Sequence, residues 1–322
     1  MVKKIVSVLS IDLFHWMNRN WAKLVLVLGM ASWLAVLNFP DSKVQIIYCN
    51  AGQGDETLIQ RGFTQILIDG SRPGRALDCL QKHIPFFDRQ IELMVVSHPQ
   101  TDHFGGLVDV IKKYRVMSFV YNGVRGEAQE WGEFSKLVLA EGAKIETVAA
   151  GDEVRIGELK LKVLWPESTV GKDGFSQVAR QYPNKVSTME PSSLSEHPFK
   201  QFVSYLQLLL TGVQFPRKTS LPPVSGSSVL GVATSGELNS GAVVMDFNYG
   251  DFDALFTGDI GEEEENLLRP GLEQSKAGPF DVLKVAHHGS KYSSSLEFLK
   301  AVKPALAVIE VGKNSYGHPT AE

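Results

Sequence analysis

The rhythm of apolar positions changes along the chain, and each change predicts a different kind of element. Residues 24–39 read LVLVLGMASWLAVLNF, with only Ser32 and Asn38 polar. Counted from Ala22 the stretch has 18 residues. As a helix it would reach roughly 27 Å, against a bilayer core of about 30 Å. Being apolar on every side, it predicts a membrane-spanning helix, with Trp21 at one interface and Lys23 snorkelling. A cleaved signal peptide is the competing reading, disfavoured by the long lead-in and by the lack of a small-x-small cleavage site before Pro40.

Beyond Pro40 the apolar runs shorten. Val44–Tyr48, Thr57–Ile59 and Gln65–Ile68 read as strands, and Arg75–Lys82 reads as a helix. Glu92–Val96 is a near-continuous apolar run ending at Ser97-His98-Pro99, the pattern of a strand buried on both faces. Further element signals follow at Phe119–Tyr121, Phe134–Ala140, Val154–Ile156 and Leu159–Leu164. Residues 166–238 then turn rich in Ser, Pro, Thr and Gly around one apolar island, Phe202–Leu210, which predicts an insertion with a capping helix. Order resumes at Gly241–Phe247, Ala254–Phe256, Val282–Val285 and Ala305–Val311. Two α/β halves around an insertion predict one α/β domain over 41–322, with stacked sheets and outer helices, behind a separate segment 1–40.

Charge sharpens this division. The net charge is −4. Lys3, Lys4, Arg19 and Lys23 against Asp12 give residues 1–40 a balance of +3, leaving −4 − 3 = −7 for the rest. Positive charge before the apolar stretch predicts a body outside the cytoplasm, held at the cell membrane by one pass. An acidic body has no general attraction for nucleic acid or anionic lipid, so any grip on a phosphate must be local. Two cysteines, Cys49 and Cys79, are too few for a thiolate zinc site. Cys49, after a strand-like run, reads first as a small buried hydrophobe, with a Cys49–Cys79 bridge as the second reading.

Candidate chemistry collects in three windows, each at the end of a buried run, and four of the eight histidines lie in them. The first is Ser97-His98-Pro99-Gln100-Thr101-Asp102-His103-Phe104-Gly105-Gly106, the second Leu255-Phe256-Thr257-Gly258-Asp259, and the third Leu283-Lys284-Val285-Ala286-His287-His288-Gly289-Ser290. Imidazole and carboxylate together suit zinc, or manganese where oxygen ligands dominate. An isolated pair is more often a helix cap or a satisfied core histidine, but three such windows in order are a strong signal.

These windows resemble the metallo-β-lactamase superfamily, and most closely the hydrolase domain of the ComEC competence family. The similarity runs through Asn50–Asp55 (NAGQGD), Ile66–Gly70 (ILIDG), Ser97–Leu107, Leu255–Ile260 (LFTGDI), Leu283–Lys291 (LKVAHHGSK) and Tyr316–Pro319 (YGHP). It implies a metallo-β-lactamase-like αββα sandwich of two mixed sheets. It also implies one or two divalent ions, zinc or manganese, on His98, Asp102, His103, Asp259 and one or both of His287 and His288, with Asp259 as the bridge. Asp102, Asp259 and His287 are the implied catalytic residues, and Asp69 is implied to orient a ligand or the loop. Ser290, Lys291 and His318 are the implied phosphate contacts. Gln100 stands where the family usually has Asp and Asn50 where it has another Asp, and Gln100 offers a metal only a neutral carbonyl oxygen.

The resemblance implies a phosphodiesterase or nuclease, with single-stranded DNA among its substrates. A hydrolase of a small or lipid-linked phosphoester is the second reading. A weakly metal-binding, membrane-anchored binding module is the third, motivated by Gln100 and Asn50.

Overall fold

In the computed structural model of the chain, the described residues are 19–30, 32–33, 40, 42–126, 128–168, 188–189, 235–275 and 279–321. They belong to two units, Met1–Asp41 and Ser42–Glu322. In the first unit, residues 19–30 and 32–33 are helical, and Trp21, Leu26 and Trp33 are exposed. Among the described residues no helix is long and apolar enough to cross a membrane. Residues 31 and 34–39 of the expected span lie outside the described residues.

The second unit is built on two sheets. The first contains β1 (Val44–Tyr48), β2 (Thr57–Arg61), β3 (Thr64–Ile68), β4 (Gln90–Val96), β5 (Arg115–Tyr121) and β6 (Lys144–Thr147), in that spatial order. Strands β1 to β3 pair antiparallel, and β3 to β6 pair parallel. The second contains β7 (Glu153–Ile156), β8 (Leu159–Trp165), β9 (Thr188–Met189), β10 (Val244–Tyr249), β11 (Phe252–Phe256), β12 (Val282–Lys284) and β13 (Leu306–Val308), in the order β13-β12-β11-β10-β8-β7-β9. Here β11, β12 and β13 are parallel, and β7, β8, β10 and β11 join antiparallel.

Parallel neighbours need crossovers, and helices supply most of them. Helix α1 (Ala76–His83) links β3 to β4; α2 (Thr101–Phe104) and α3 (Leu107–Ile111) link β4 to β5; α4 (Gln129–Glu141) links β5 to β6. After α5 (Ser235–Ser240), α6 (Glu262–Ser275) joins β11 to β12, and α7 (Leu296–Val302) joins β12 to β13. Their ends carry ordinary stop signals. Gly142 closes α4 in the left-handed region at φ 73°, and the Ser295 hydroxyl caps α7 by accepting from the Phe298 N–H at 3.3 Å.

Alternation along the central strands explains the layering. In β4, Met94 and Val96 face the core beneath α1 to α4, while Leu93 and Val95 face the second sheet. In β11, Leu255 faces the core beneath α6 and α7, while Ala254 and Phe256 face the first sheet. Three apolar cores therefore separate four layers, an αββα sandwich of two mixed sheets. Each fully buried large side chain in these cores contributes roughly 1.5–3 kcal/mol.

Within residues 166–238, β9 pairs with β7, and α5 begins. The island Phe202–Leu210 lies outside the described residues. Cys49 and Cys79 are a disulfide, with Cα atoms 5.8 Å apart, which ties α1 to the end of β1. The first reading, Cys49 as a small buried hydrophobe, gives way because the packing of α1 on the sheet brings two cysteines 30 positions apart together.

Candidate metal centre

The chemistry-bearing residues leave the C-terminal ends of parallel strands, where open α/β sheets form their sites. Strand β3 delivers Asp69, β4 delivers Ser97 and His98, β11 delivers Asp259, and β12 runs into the turn Ala286–Gly289. Asp102 and His103 lie on α2, directly behind β4. Glycine makes the close approach possible. A Cβ on Gly106 would fall on the Gly70 carbonyl oxygen, and one on Gly54 would fall on that of Asp102.

Backbone strain concentrates in the same place. Asp69, Ser71, His287 and His288 hold φ of 57°, 56°, 47° and 55°, a region unfavourable to residues with a Cβ. Such conformations persist where the surroundings impose them, and here they aim side chains inward.

Around Asp259 three imidazoles converge. His103 Nε2 lies 3.2 Å from Asp259 Oδ2, His288 Nε2 lies 3.5 Å away, and His98 Nε2 lies 4.0 Å away. Asp102 Oδ2 completes the cluster at 3.9 Å from His288 Nε2. His98, His103, Asp259 and His288 are buried. Asp102, His103 and His288 offer ligand atoms within 4.8 Å of one another, and so do His98, His103 and Asp259.

The far sides of the rings are fixed. The Asp69 carboxylate accepts from the Ser97 N–H at 2.8 Å, the Ser97 hydroxyl at 2.6 Å and His103 Nδ1 at 2.9 Å. His288 Nδ1 donates to the Glu310 carbonyl at 2.8 Å. With each Nδ1 engaged, Nε2 is the atom presented to the cluster, the arrangement that orients metal-binding imidazoles. The Nε2 atoms of His98, His103 and His288 and Asp259 Oδ1 are buried without a hydrogen-bond partner. Buried polar atoms are rarely left so, and these belong to residue types that bind divalent ions. The donor set fits a metal.

Electrostatics agree with a site built for positive charge. Burial works against ionisation at Asp259, but His103 and His288 overcome it and hold the carboxyl well below its usual range. Burial likewise opposes charge on His103, yet Asp259, Asp55 and Asp69 raise it well above an ordinary histidine. His98 is driven down by burial and by His103.

Three residues in this network were not singled out from the sequence. Asp55, buried beneath the cluster, pairs with the buried Lys284 ammonium and lies 3.2 Å from His288 Nδ1. Burial opposes its charge, but Lys284, His103 and His288 bring it down to about 2. Lys284 also donates to the Gly258 carbonyl at 3.3 Å, and its Nζ lies 3.9 Å from Asp259 Oδ1. Glu310 accepts from the Glu56 N–H at 3.1 Å and the Thr57 hydroxyl at 3.2 Å, and burial followed by Asp55 raises it to about 8. The one local signal was Lys284 itself, a lysine inside a buried strand run.

The remaining candidates separate. Of the two adjacent histidines, His288 enters the cluster, whereas His287 turns away to meet His318 edge to face, with ring centroids 5.5 Å apart. His287 is not among the groups of residues whose ligand atoms converge within 4.8 Å. Burial lowers the His287 imidazole below its usual value. Ser290 is buried, its hydroxyl accepting from the Tyr292 N–H at 3.3 Å, and Lys291 is exposed with Nζ 4.9 Å from the Tyr292 ring. The Gln100 amide donates to Asn239 on α5.

No family model matches the chain. ComE operon protein 3 of Bacillus subtilis (strain 168) is 25% identical over 306 residues, covering 87% of this chain. The chain spans 30% of the length of that curated relative. Among solved structures, the diiron β-hydroxylase CmlA from Streptomyces venezuelae aligns over 87% of this chain and 49% of its own, at 13% identity and a TM-score of 0.45. The metallo-β-lactamase fold protein YhfI from Bacillus subtilis aligns over 86% and 89%, at 13% identity and a TM-score of 0.42. The αββα sandwich of two mixed sheets is the metallo-β-lactamase fold that the sequence motifs imply.

Proposed function

We propose that the chain is a metal-dependent hydrolase of phosphate esters, a phosphodiesterase or nuclease. The observation that carries this reading is the convergence of three unpartnered imidazole Nε2 atoms on Asp259 at the strand ends. Asp102, His103, His288 and Asp259 would hold one ion, zinc or manganese, and His98 with Asp259 would offer a poorer second position. When bound, a divalent ion supplies an activated water at neutral pH and offsets charge on the phosphoryl oxygens.

The protein's own groups supply the rest. Asp69 holds the His103 ring in register, and the Glu310 carbonyl does the same for His288. His287, outside the cluster and held towards its neutral form, is the group free to exchange a proton with a leaving oxygen, with His318 beside it. The similarity to ComE operon protein 3 and the competence-family motifs make single-stranded DNA the first substrate to test.

The reading includes a body outside the cytoplasm on a single N-terminal anchor. The charge balance of residues 1–40 supports it. So does the Cys49–Cys79 disulfide, because such bonds persist in oxidising compartments. Protease added to intact cells should digest the body, and protection until the membrane is opened would sink the topology. For the activity, the chelator-stripped protein is assayed with manganese or zinc on single-stranded DNA and on a small chromogenic phosphodiester. Metal-dependent cleavage of DNA is expected. Cleavage of the small ester alone would redirect the reading to a small phosphoester. Failure to bind metal would reduce the protein to a binding module.

A further inference from the structure

A second cluster of metal-binding residue types lies apart from the side chains around Asp259. Cys49 follows β1, Cys79 lies on α1, and Glu56 immediately precedes β2. Their two sulfurs and one carboxylate oxygen lie within 4.8 Å of one another. Glu56 is 1% exposed, and neither of its carboxylate oxygens has a hydrogen-bond partner. Its backbone is fixed on both sides: the N–H donates to Glu310 Oε1 at 3.1 Å, and the carbonyl accepts from the Cys49 N–H at 2.9 Å. The side chain is therefore held against the cysteines by the sheet edge itself.

A disulfide gives that carboxyl nothing. It offers no donor, and an apolar side chain would fill the position without the desolvation cost of an unsatisfied polar group. Two thiols and a carboxyl, by contrast, are three converging ligands of the kind that binds zinc, and Cys79 is partly exposed.

We propose that Cys49, Glu56 and Cys79 form a redox-gated zinc site, closed while the disulfide is intact and opened by a dithiol reductant. The step balances. The dithiol attacks one sulfur of the bridge, the S–S bond breaks, and two electrons and two protons leave two thiols here and a disulfide on the reductant. Burial, with Asp78 nearby, raises the Glu56 carboxyl to about 8, so it is largely protonated at neutral pH. Loading zinc then places the ion on two thiolates and one carboxylate and releases close to three protons.

The test uses the full chain, oxidised or reduced with a phosphine, which supplies electrons without offering a thiol. Each form is titrated with zinc by calorimetry and with cobalt by absorption. The reduced protein should take up one more equivalent than the oxidised protein. That equivalent should show thiolate-to-cobalt charge transfer, and its heat should depend on buffer ionisation as proton release requires. Glu56→Gln should weaken the extra equivalent at least tenfold and leave the uptake of the oxidised protein unchanged. The double change Cys49→Ser with Cys79→Ser, checked for folding by circular dichroism, should remove the extra equivalent in either condition. Equal stoichiometry in the two redox states overturns the proposal. So does an extra equivalent whose affinity Glu56→Gln leaves intact, because two thiols alone would then account for it.

Discussion

Strands β3 and β4 carry buried polar side chains at both ends, and the two ends are satisfied in different ways. At the N-terminal end Gln65, Gln90, Asp88 and Glu92 form a network that fills every carboxylate oxygen and leaves the Gln65 Oε1 amide oxygen without a partner. The Gln65 N–H donates to Glu92 Oε2 at 2.7 Å and its amide to Asp88 Oδ2 at 3.0 Å. The Gln90 amide donates to Glu92 Oε1 at 2.8 Å and its N–H to Asp88 Oδ1 at 3.2 Å. All four carboxylate oxygens are occupied from within the protein. At the C-terminal end, Asp69 and Ser97 are equally well bonded, but they hold rings whose Nε2 atoms have no partner. Burial and polarity do not distinguish the ends. What does is which atoms go without a partner: a single neutral amide oxygen at one end, and at the other several imidazole nitrogens converging on one carboxylate, where an external ion is the chemistry that fits.

The largest expected break in this contrast is Asp259→Ala. Removing the carboxylate on which three imidazoles converge should abolish stoichiometric metal binding and lower phosphodiester hydrolysis on the order of a thousandfold. Metal retained at one equivalent would refute the ligand set. Next comes Asp69→Asn, which touches no ion but replaces the acceptor of His103 Nδ1 with a weaker one. It should cost about 10–100-fold in metal affinity while leaving the folded structure intact by circular dichroism.

A smaller effect sharpens the comparison within the centre. Gln100 offers no charge and donates its amide to Asn239. Gln100→Asp should restore an anionic ligand beside His98 and strengthen a second equivalent of metal by about tenfold, with faster turnover at limiting metal. Unchanged stoichiometry would mean that the position serves α5 contact and a single-ion site.

The smallest change probes the N-terminal end. Asp88 is raised from 3.8 to about 7, first by burial and then by repulsion from Glu92. A carboxyl whose folded pKa is raised stabilises the fold in its protonated form. That contribution is complete below pH 3.8 and is lost as pH rises through about 7. Asp88→Asn should flatten the decline in denaturation midpoint across this interval without altering metal uptake. An equally steep decline in the variant would show that other groups govern it.

Much of this arrangement was legible before any coordinates. Glu92–Val96 read as a doubly buried strand because both faces pack, one against helices and one against the second sheet. Asp69, just before a glycine turn, was marked by the family resemblance of the ILIDG segment. Asp55, Lys284 and Glu310 were not assigned, because their roles depend on partners far along the chain: Lys284 and Asp55 are 229 positions apart. The choice between His287 and His288 was equally invisible, since adjacent residues in left-handed backbone diverge in a way that no pattern records.

The sequence by itself determined the two-sheet class, the strand ends that bear the chemistry, and the residue types that meet there. Periodicity and local turn chemistry are properties of neighbouring residues, and a linear pattern can express them. Only the tertiary structure decided which imidazole nitrogens stay unpartnered, that Lys284 sits under the cluster as its internal cation, and that Cys49 and Cys79 are joined beside Glu56. Those outcomes depend on desolvation and on contacts between distant segments, and neither exists until the sheets have packed.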